Sequence, residues 1–489
     1  MATLASNTIE FGLGVPPEPR RRHRYLGQTS IESVRNHRLA KRRVLYGGTE
    51  DEHYDPQTYF QLREIGLSLY RNNGLVRGMI DRGVENVVGP DGYTYVPMSG
   101  DEGLNRAMAD YWEEWSDSDA DRTGRVHLTD LLAAAERGEW TAGDNFFFLD
   151  EVGIHGRGSL ILIDGGRCVT PTNDEKRVVN GIRLSEHGEP TAYFFANDVP
   201  QSAYVSASEG RFYPASQVIH NCHLAVFAGQ TRGIPVFCAS VRDLDDLDAL
   251  IVATRVAARI AADNGFFITK ELDPEAYAMA VAETYPDDQD RANSEPPVER
   301  LENGLVRYLK VGEKMESVGS AHPAPQLESF IKLLVRMIGV AVGEPIEISL
   351  MDATETNLSS MRLVLEQAYR SFRCHQHRNV RNLRKFNRFA FGIAIREKLL
   401  PDKPEVYSHA WTPNAWPFFD ILKESRARLD LLAAGLTSVS QILGEEGRTL
   451  DKVLAEQKSD REKFAAAGLP YPTFEPTTPK STATSNVTQ

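Results

Sequence analysis

The stretch QTRGIPVFCASVRDLDDLDALIVATRVAARIAADNG, residues 230–265, joins a compact turn to a long helix. Pro235 prevents continuation of a preceding strand, and Gly233 permits the tight turn before it. The sequence then predicts a helix from about Ser240 to Asn264, roughly 36 Å long at a rise of 1.5 Å per residue. No nucleotide-binding loop precedes this helix, so its role is expected to be structural.

The predicted helix has an apolar face that becomes rich in alanine toward its end. Small residues allow neighbouring helices to approach closely, as in a ring of helices crowded around an axis. An ordinary buried helix has the same periodicity, so both interpretations remain open. The candidate packing residues of this helix are Leu244, Leu247, Ile251 and Ala258.

The composition is that of a large soluble protein. The 489 residues are 41% hydrophobic, carry a formal net charge of −13, and suggest two to four domains. This charge argues against tight wrapping of nucleic acid. The sequence has no apolar run long enough for a membrane-spanning helix, and its N-terminus does not have the pattern of a secretory signal. The four widely spaced cysteines favour a reducing compartment over a disulfide framework.

Hydrophobic periodicity predicts a mixed α and β chain. Turn signals separate strands throughout a β-rich block from about residue 144 to 228. Helices are predicted at about 57–88, from Leu128 to about Ala142 after a Thr129-Asp130 cap, at 326–342 and at 359–398, with ISLMDATETNLS as a loop and short helices near the C-terminus. A strand, turn and strand are predicted around Asn303-Gly304 and Gly312.

Motifs of catalysis are largely missing from the sequence. There is no GxxxxGK[ST], HExxH or GxSxG motif. The segments HNCH (220–223) and CHQH (374–377) could supply a zinc site only if these two distant parts of the chain met. A diffuse hydrolase or nuclease site would use Asp164, Asp174 and His220, but nothing in their spacing favours it.

Four segments, taken in order, resemble the lambda family of tailed-phage portal proteins. They are YRNNGLVRGMIDRGVENVVG (70–89), QTRGIPVF (230–237), SFIKLLVRMIGVAVGEPIEIS (329–349) and the C-terminal LDLLAAGL region (429–469). The resemblance extends over about residues 55–470. The loop at 275–300 and the segment ISLMDATETNLSSMR depart from the family pattern.

This resemblance implies a structural protein without catalytic activity or cofactor. Such a protein would form a ring of about twelve copies at a unique capsid vertex of a bacteriophage or prophage, through which double-stranded DNA is packaged and ejected. Its implied partners are the terminase large subunit, the major capsid protein and the head-tail connector proteins, without a membrane. It would occur in the virion, and in the host cytoplasm during assembly. A virion adaptor without a channel is the alternative, and a metal-dependent nuclease or hydrolase a weaker one.

The resemblance also implies an α+β portal fold with an α/β wing, a helical stem, a small β-containing clip and a helical crown. In chain order, we expect a basic, partly disordered arm (1–54), the wing (55–239), a stem helix (240–264), the clip (265–322), a second stem helix (323–345), the channel loop with a long helix (346–399), the crown (400–470) and a disordered tail (471–489).

An acidic ring would offer passing phosphates few lasting contacts. The implied channel loop, residues 346–358, has no basic residue and carries Glu347, Asp352 and Glu355. We therefore expect it to contact DNA weakly, through Thr354, Thr356 and Asn357.

Overall fold

The computed structural model describes residues 54–172, 178–222, 227, 229–262, 266–270, 279, 313–317, 326–354, 356–414, 416, 421–445, 448 and 450–471. Predictions for the N-terminal arm, the C-terminal tail, Asp174, His223 and Asn303-Gly304 lie outside these residues. The chain divides into two compact units. The first comprises Met1–Leu69, Ser99–Cys238 and Arg384–Tyr407, and the second Tyr70–Met98, Ala239–Leu383 and Ser408–Gln489.

The fold mixes helices and strands, as predicted. The helices are α1 (Pro56–Asn72), α2 (Gly74–Val87), α3 (Glu102–Glu114), α4 (Leu128–Ala142), α5 (Val241–Ala262), α6 (Leu327–Val342), α7 (Ile346–Ser349), α8 (Leu358–Arg396), α9 (Ile421–Ala433), α10 (Val439–Glu445) and α11 (Leu450–Ala466). A π-helical turn, Trp115–Asp119, follows α3.

The strands occupy the predicted β-rich block and four further positions. They are β1 (Thr94–Pro97), β2 (Asp144–Asp150), β3 (Ser159–Asp164), β4 (Thr170–Thr172), β5 (Val178–Val179), β6 (Ile182–Leu184), β7 (Pro190–Ala196), β8 (Tyr204–Ser206), β9 (Gly210–Pro214), β10 (Val218–Cys222), β11 (Phe266–Lys270), β12 (Glu313–Ser317) and β13 (His409–Thr412).

The core of the first unit lies between its two larger sheets. One sheet has the strand order β10-β2-β3 and the other β5-β6-β7-β9, all antiparallel. Phe146 of β2 packs edge-to-face against Tyr193 and Phe195 of β7, with ring centroids 5.4 and 5.1 Å apart. Because side chains alternate along a strand, the inward-facing rings of β2 and β7 fill one continuous core.

Two helix starts have clear local causes. Asn73 separates α1 from α2, and its side-chain oxygen accepts hydrogen bonds from the backbone of Leu75 and Val76, an N-cap arrangement. Helix α4 has the predicted bounds, but the predicted Thr129-Asp130 cap was wrong. The N-cap is His127, whose Nδ1 accepts from the Thr129 backbone N–H.

The second unit contains α5, the long helix predicted within the stretch 230–265. It begins at Val241, packs against α6, and has its Leu244 and Leu247 side chains buried. Helix α6 ends at Gly343, which adopts a left-handed φ of 88° as the C-cap. The predicted loop that follows is not wholly irregular, because Ile346–Ser349 form the helical turn α7. Strand β12 pairs with β11 in antiparallel register.

Candidate functional site

A buried ion pair gives the arginine of QTRGIP a structural role. Arg232 is 1% exposed and Asp144, the first residue of β2, is 0% exposed. The Arg232 Nε and Nη2 atoms donate to the two Asp144 carboxylate oxygens at 2.6 and 2.9 Å. This two-point geometry fits the planar guanidinium to the planar carboxylate.

The remaining hydrogen-bonding capacity of this pair is also used. Tyr59, His220 and the backbone N–H of Gly233 contact the Asp144 carboxylate at 2.7, 3.0 and 3.1 Å. The other arginine N–H groups donate to the backbone oxygens of Cys168, Asn180 and Gly165. The pair therefore connects α1, β2, β10 and the loop before α5 within the first unit.

Aromatic rings enclose the guanidinium. Its central carbon lies 3.8 Å from the centroid of the Tyr59 ring and 5.5 Å from that of Phe146, on which the His220 ring stacks at 4.4 Å. Burial alone would raise the pKa of Asp144, but the charge and hydrogen bonds of Arg232 overcome this and hold that pKa well below its usual value. Burial lowers the pKa of His220, so the imidazole is neutral beside an ion pair that is already balanced.

Gly233 is needed for a reason that differs from the sequence prediction. Its φ is not positive, so the turn does not demand glycine. Instead, a Cβ at this position would lie 1.8 Å from the carbonyl oxygen of Gly143, which itself has a φ of 93°. The two backbones touch beside the Asp144–Arg232 pair, and only glycine allows this approach.

The candidates for metal binding and hydrolysis have structural roles. His220 contacts Asp144, and Asp164 binds Arg63 at 2.6 Å at the surface. Cys374 donates to a backbone oxygen of its own helix, and His375 bonds Arg378. Within the described residues, no group of three or more His, Cys, Asp or Glu side chains is arranged to hold a metal ion.

Helices α5 and α6 carry apolar side chains that are exposed. On α6, Phe330, Leu333, Met337 and Val340 recur at helical spacing and are 50%, 49%, 50% and 82% exposed. On α5, Val252 and Val256 are 57% and 50% exposed, and Ala258 is also exposed. These residues of the second unit are here called the apolar face of α5 and α6. A contiguous patch of exposed apolar side chains indicates an interaction site, whereas single exposed apolar residues are common on any protein.

The sequence-predicted packing residues divide between two environments. Leu244 and Leu247 are buried within their own chain, Ile251 is half-buried, and Ala258 is exposed. The first two therefore stabilise the subunit itself. The valines of α5 were missed by sequence reasoning, although their spacing of four residues indicates one helical face.

The polar groups of the predicted channel loop bind one another. The Thr354 hydroxyl donates to Asp352 at 2.6 Å, and the Thr356 hydroxyl donates to Glu347 at 3.0 Å. The Asn357 side-chain oxygen accepts from the Ser360 backbone N–H at 2.8 Å, as an N-cap of α8. Asp352 also binds Lys332 of α6 at 3.2 Å, which ties the loop to that helix.

Glu344 lies between α6 and this loop and is 2% exposed. Among the described residues, neither of its carboxylate oxygens has a hydrogen-bond partner. Burial raises the pKa of Glu344 to about 8, against the opposing effect of Arg82. The carboxyl is therefore mostly protonated at neutral pH in the folded chain.

This burial predicts a pH dependence of stability. Because the folded-state pKa exceeds the unfolded one, the contribution of Glu344 is fully present below about pH 4.5 and is lost as the pH rises through about 8. Glu344→Gln should therefore gain stability relative to the unsubstituted chain above pH 8, by roughly 5 kcal/mol. Denaturant midpoints from pH 5 to 9 measure this difference. Glu102→Gln, at an exposed position, is the control, and equal pH profiles for both variants would contradict the prediction.

Comparisons with known proteins identify the class. A sequence profile described as "Phage portal protein, lambda family" matches residues 52–376. The chain is also 23% identical over 412 residues to a "Probable portal protein" of Halomonas phage phiHAP-1, covering 79% of this chain and 77% of that protein.

Two solved structures are similar at low sequence identity. A chain of the "Virion of native gene transfer agent (GTA) particle" has a TM-score of 0.43 and 13% identity, covering 88% of this chain and 96% of that one. A chain of the "Neck of native GTA particle computed with C12 symmetry" has a TM-score of 0.42 and 13% identity, covering 85% and 94%.

The profile matches about two thirds of the sequence and identifies the chain as a structural protein of the phage virion. The chain belongs to the lambda family of phage portal proteins. It is a virion component and not an enzyme, since this family is structural. Within the described residues, no helix has the length and apolar character that a membrane span requires.

Proposed function

We propose that this portal protein assembles with about eleven further copies of itself into a closed ring at one capsid vertex. Double-stranded DNA is packaged and ejected through the ring, to which the terminase large subunit and the head-tail connector proteins dock. The major capsid protein surrounds it, and assembly takes place in the host cytoplasm. The apolar face of α5 and α6 is the observation that carries this proposal, together with membership of the portal family.

The apolar face of α5 and α6 suits contact between copies for two reasons. Its side chains lie on two helices that pack against each other, so the face is presented by a paired element and not by a single loop. Burying each large apolar side chain contributes roughly 1.5–3 kcal/mol, and a ring repeats this gain at every subunit contact. In chain order, we assign the stem to 240–264 and 323–345, between a wing at 55–239 and a crown at 400–470, with the clip at 265–322.

Charges placed on this face should prevent assembly. We expect the double variant Met337→Asp and Val340→Asp to sediment as single copies, because each ring contact would bury unpaired carboxylates. The matched control is Val152→Asp with Val199→Asp, two exposed valines of the first unit. Sedimentation velocity measures the assembly and circular dichroism the retained helix content. If both double variants assembled equally well, the assigned face would be wrong.

We further propose that the loop 346–358 faces the channel. Its lack of basic residues, and the use of the Thr354 and Thr356 hydroxyls within the loop, support weak and transient contact with DNA. Replacing Thr354, Thr356 and Asn357 by alanine is expected to lower the amount of DNA retained in particles, whereas alanine at Thr191, Ser202 and Ser208 is not. Quantifying packaged DNA tests this, and unchanged packaging and retention would remove the role.

A further inference from the structure

One exposed face of α8 is basic although the whole chain is acidic. Arg370, Arg373, His377 and Arg381 are all exposed and belong to the second unit. Their spacing of three or four residues places them on one side of the helix. Glu366 is the only acidic residue of α8. We call these four residues the basic face.

Two arginines of the basic face are held in place by neighbours. Arg373 lies over the ring of Trp416, 5.5 Å from its centroid, and Trp416 stacks on Tyr369 with centroids 4.3 Å apart. Arg370 binds Glu366 one turn earlier at 3.0 Å. A cation held by such contacts loses less side-chain entropy when it binds an anion.

Within the described part of the chain, the charge of the basic face is neutralised only at Arg370. Only Arg370 has an ion pair there, and no acidic side chain lies within 4.0 Å of the guanidinium groups of Arg373 and Arg381. This group of cations contrasts with the net charge of −13 of the whole chain. Arg373 and Arg381, on the same side of the helix and without an acidic partner among the described residues, favour an anionic partner.

We propose that the basic face of α8 binds the phosphate backbone of double-stranded DNA. The choice of DNA rests on the proposed function, but the site is distinct from the loop 346–358. From Arg370 to Arg381 the helix rises roughly 16 Å, at 1.5 Å per residue. Over that length duplex DNA presents about ten phosphate charges, so several cations meet phosphates at once. Arginine also suits this role because its fork binds phosphate oxygens in pairs.

The dependence of DNA affinity on salt concentration tests this site. Each lost phosphate contact should lower the slope of log affinity against log salt by about 0.9. We therefore expect Arg373→Gln with Arg381→Gln to lower that slope by about 1.8, measured with the full chain and a duplex of mixed sequence. Arg106→Gln with Arg396→Gln is the matched control, since it removes two exposed cations of the first unit and should leave the slope nearly unchanged.

Two outcomes would overturn the proposal. Equal slopes for the two double variants would show that the basic face makes no phosphate contact. An unchanged slope with weakened assembly, measured by sedimentation, would show that the face binds an acidic surface of another copy. Neither outcome bears on whether the unsubstituted chain forms a ring. The mass of that chain in solution decides this separately. Failure of this site and failure of the proposed function are therefore distinguishable.

Discussion

Replacing Asp144 with asparagine is expected to lower the free energy of unfolding by about 3 to 5 kcal/mol, because it leaves the buried Arg232 guanidinium without a counter-charge. Asparagine has nearly the same shape, so the loss would report charge and hydrogen bonding and not a cavity. The carboxylate also accepts hydrogen bonds from Tyr59 and Gly233, which an amide satisfies less completely. Denaturant midpoints measured by fluorescence and circular dichroism give the change.

Asp164→Asn provides a matched control. Asp164 ends β3 and binds Arg63 at 2.6 Å, but its side chain is 46% exposed. A surface ion pair of this kind contributes about 0 to 1 kcal/mol. Comparable losses for Asp144→Asn and Asp164→Asn would contradict the central structural role of the buried pair.

The same pair predicts sensitivity to acid. Because the folded-state pKa of Asp144 lies well below the unfolded one, its stabilisation is present above about pH 4 and is lost as the pH falls below that value. The asparagine variant should therefore have a shallower loss of stability in acid than the unsubstituted chain.

The second large effect is expected at Gly233. An alanine Cβ would lie 1.8 Å from the Gly143 oxygen and 2.4 Å from its carbon, so the backbone must move. That movement would displace the adjacent Arg232 from Asp144, and we expect a loss of at least about 3 kcal/mol. The denaturant midpoint again measures the loss.

Gly74→Ala is the control for this substitution. Gly74 is the first residue of α2 and its φ is not positive, and no atom lies within 4 Å of the Cβ that alanine would add there. The free energy of unfolding of this variant should differ from that of the unsubstituted chain by less than about 0.5 kcal/mol. If Gly233→Ala were tolerated as well as Gly74→Ala, the close approach of Gly233 to Gly143 would carry little energetic weight.

Most elements could be predicted from the sequence because their signals are local. The periodicity of α6 and α8 and the turn residues of the β-rich block lie within short windows. The Asp144–Arg232 pair could not be predicted in this way, because the two residues are 88 positions apart and no short motif joins them. The cap of α4 was missed because histidine seldom fills that position, and Asp or Thr nearby is the commoner choice.

The candidate site was predictable only in part. An apolar seam on α5 is visible from Leu244 and Leu247, but periodicity does not say which apolar residues are covered by the same chain. Only the fold separates these buried leucines from the exposed Val252 and Val256. The arginines of α8 can be read from the sequence, whereas the contact of Arg373 with Trp416 depends on tertiary structure.

The mass of the purified, unsubstituted chain in solution tests the central claim most directly. Native mass spectrometry, with electron microscopy of the same sample, should find closed rings of about twelve times the 54.5 kDa chain mass. A particle of one chain mass at every protein and salt concentration, including material taken from infected cells, would contradict the account.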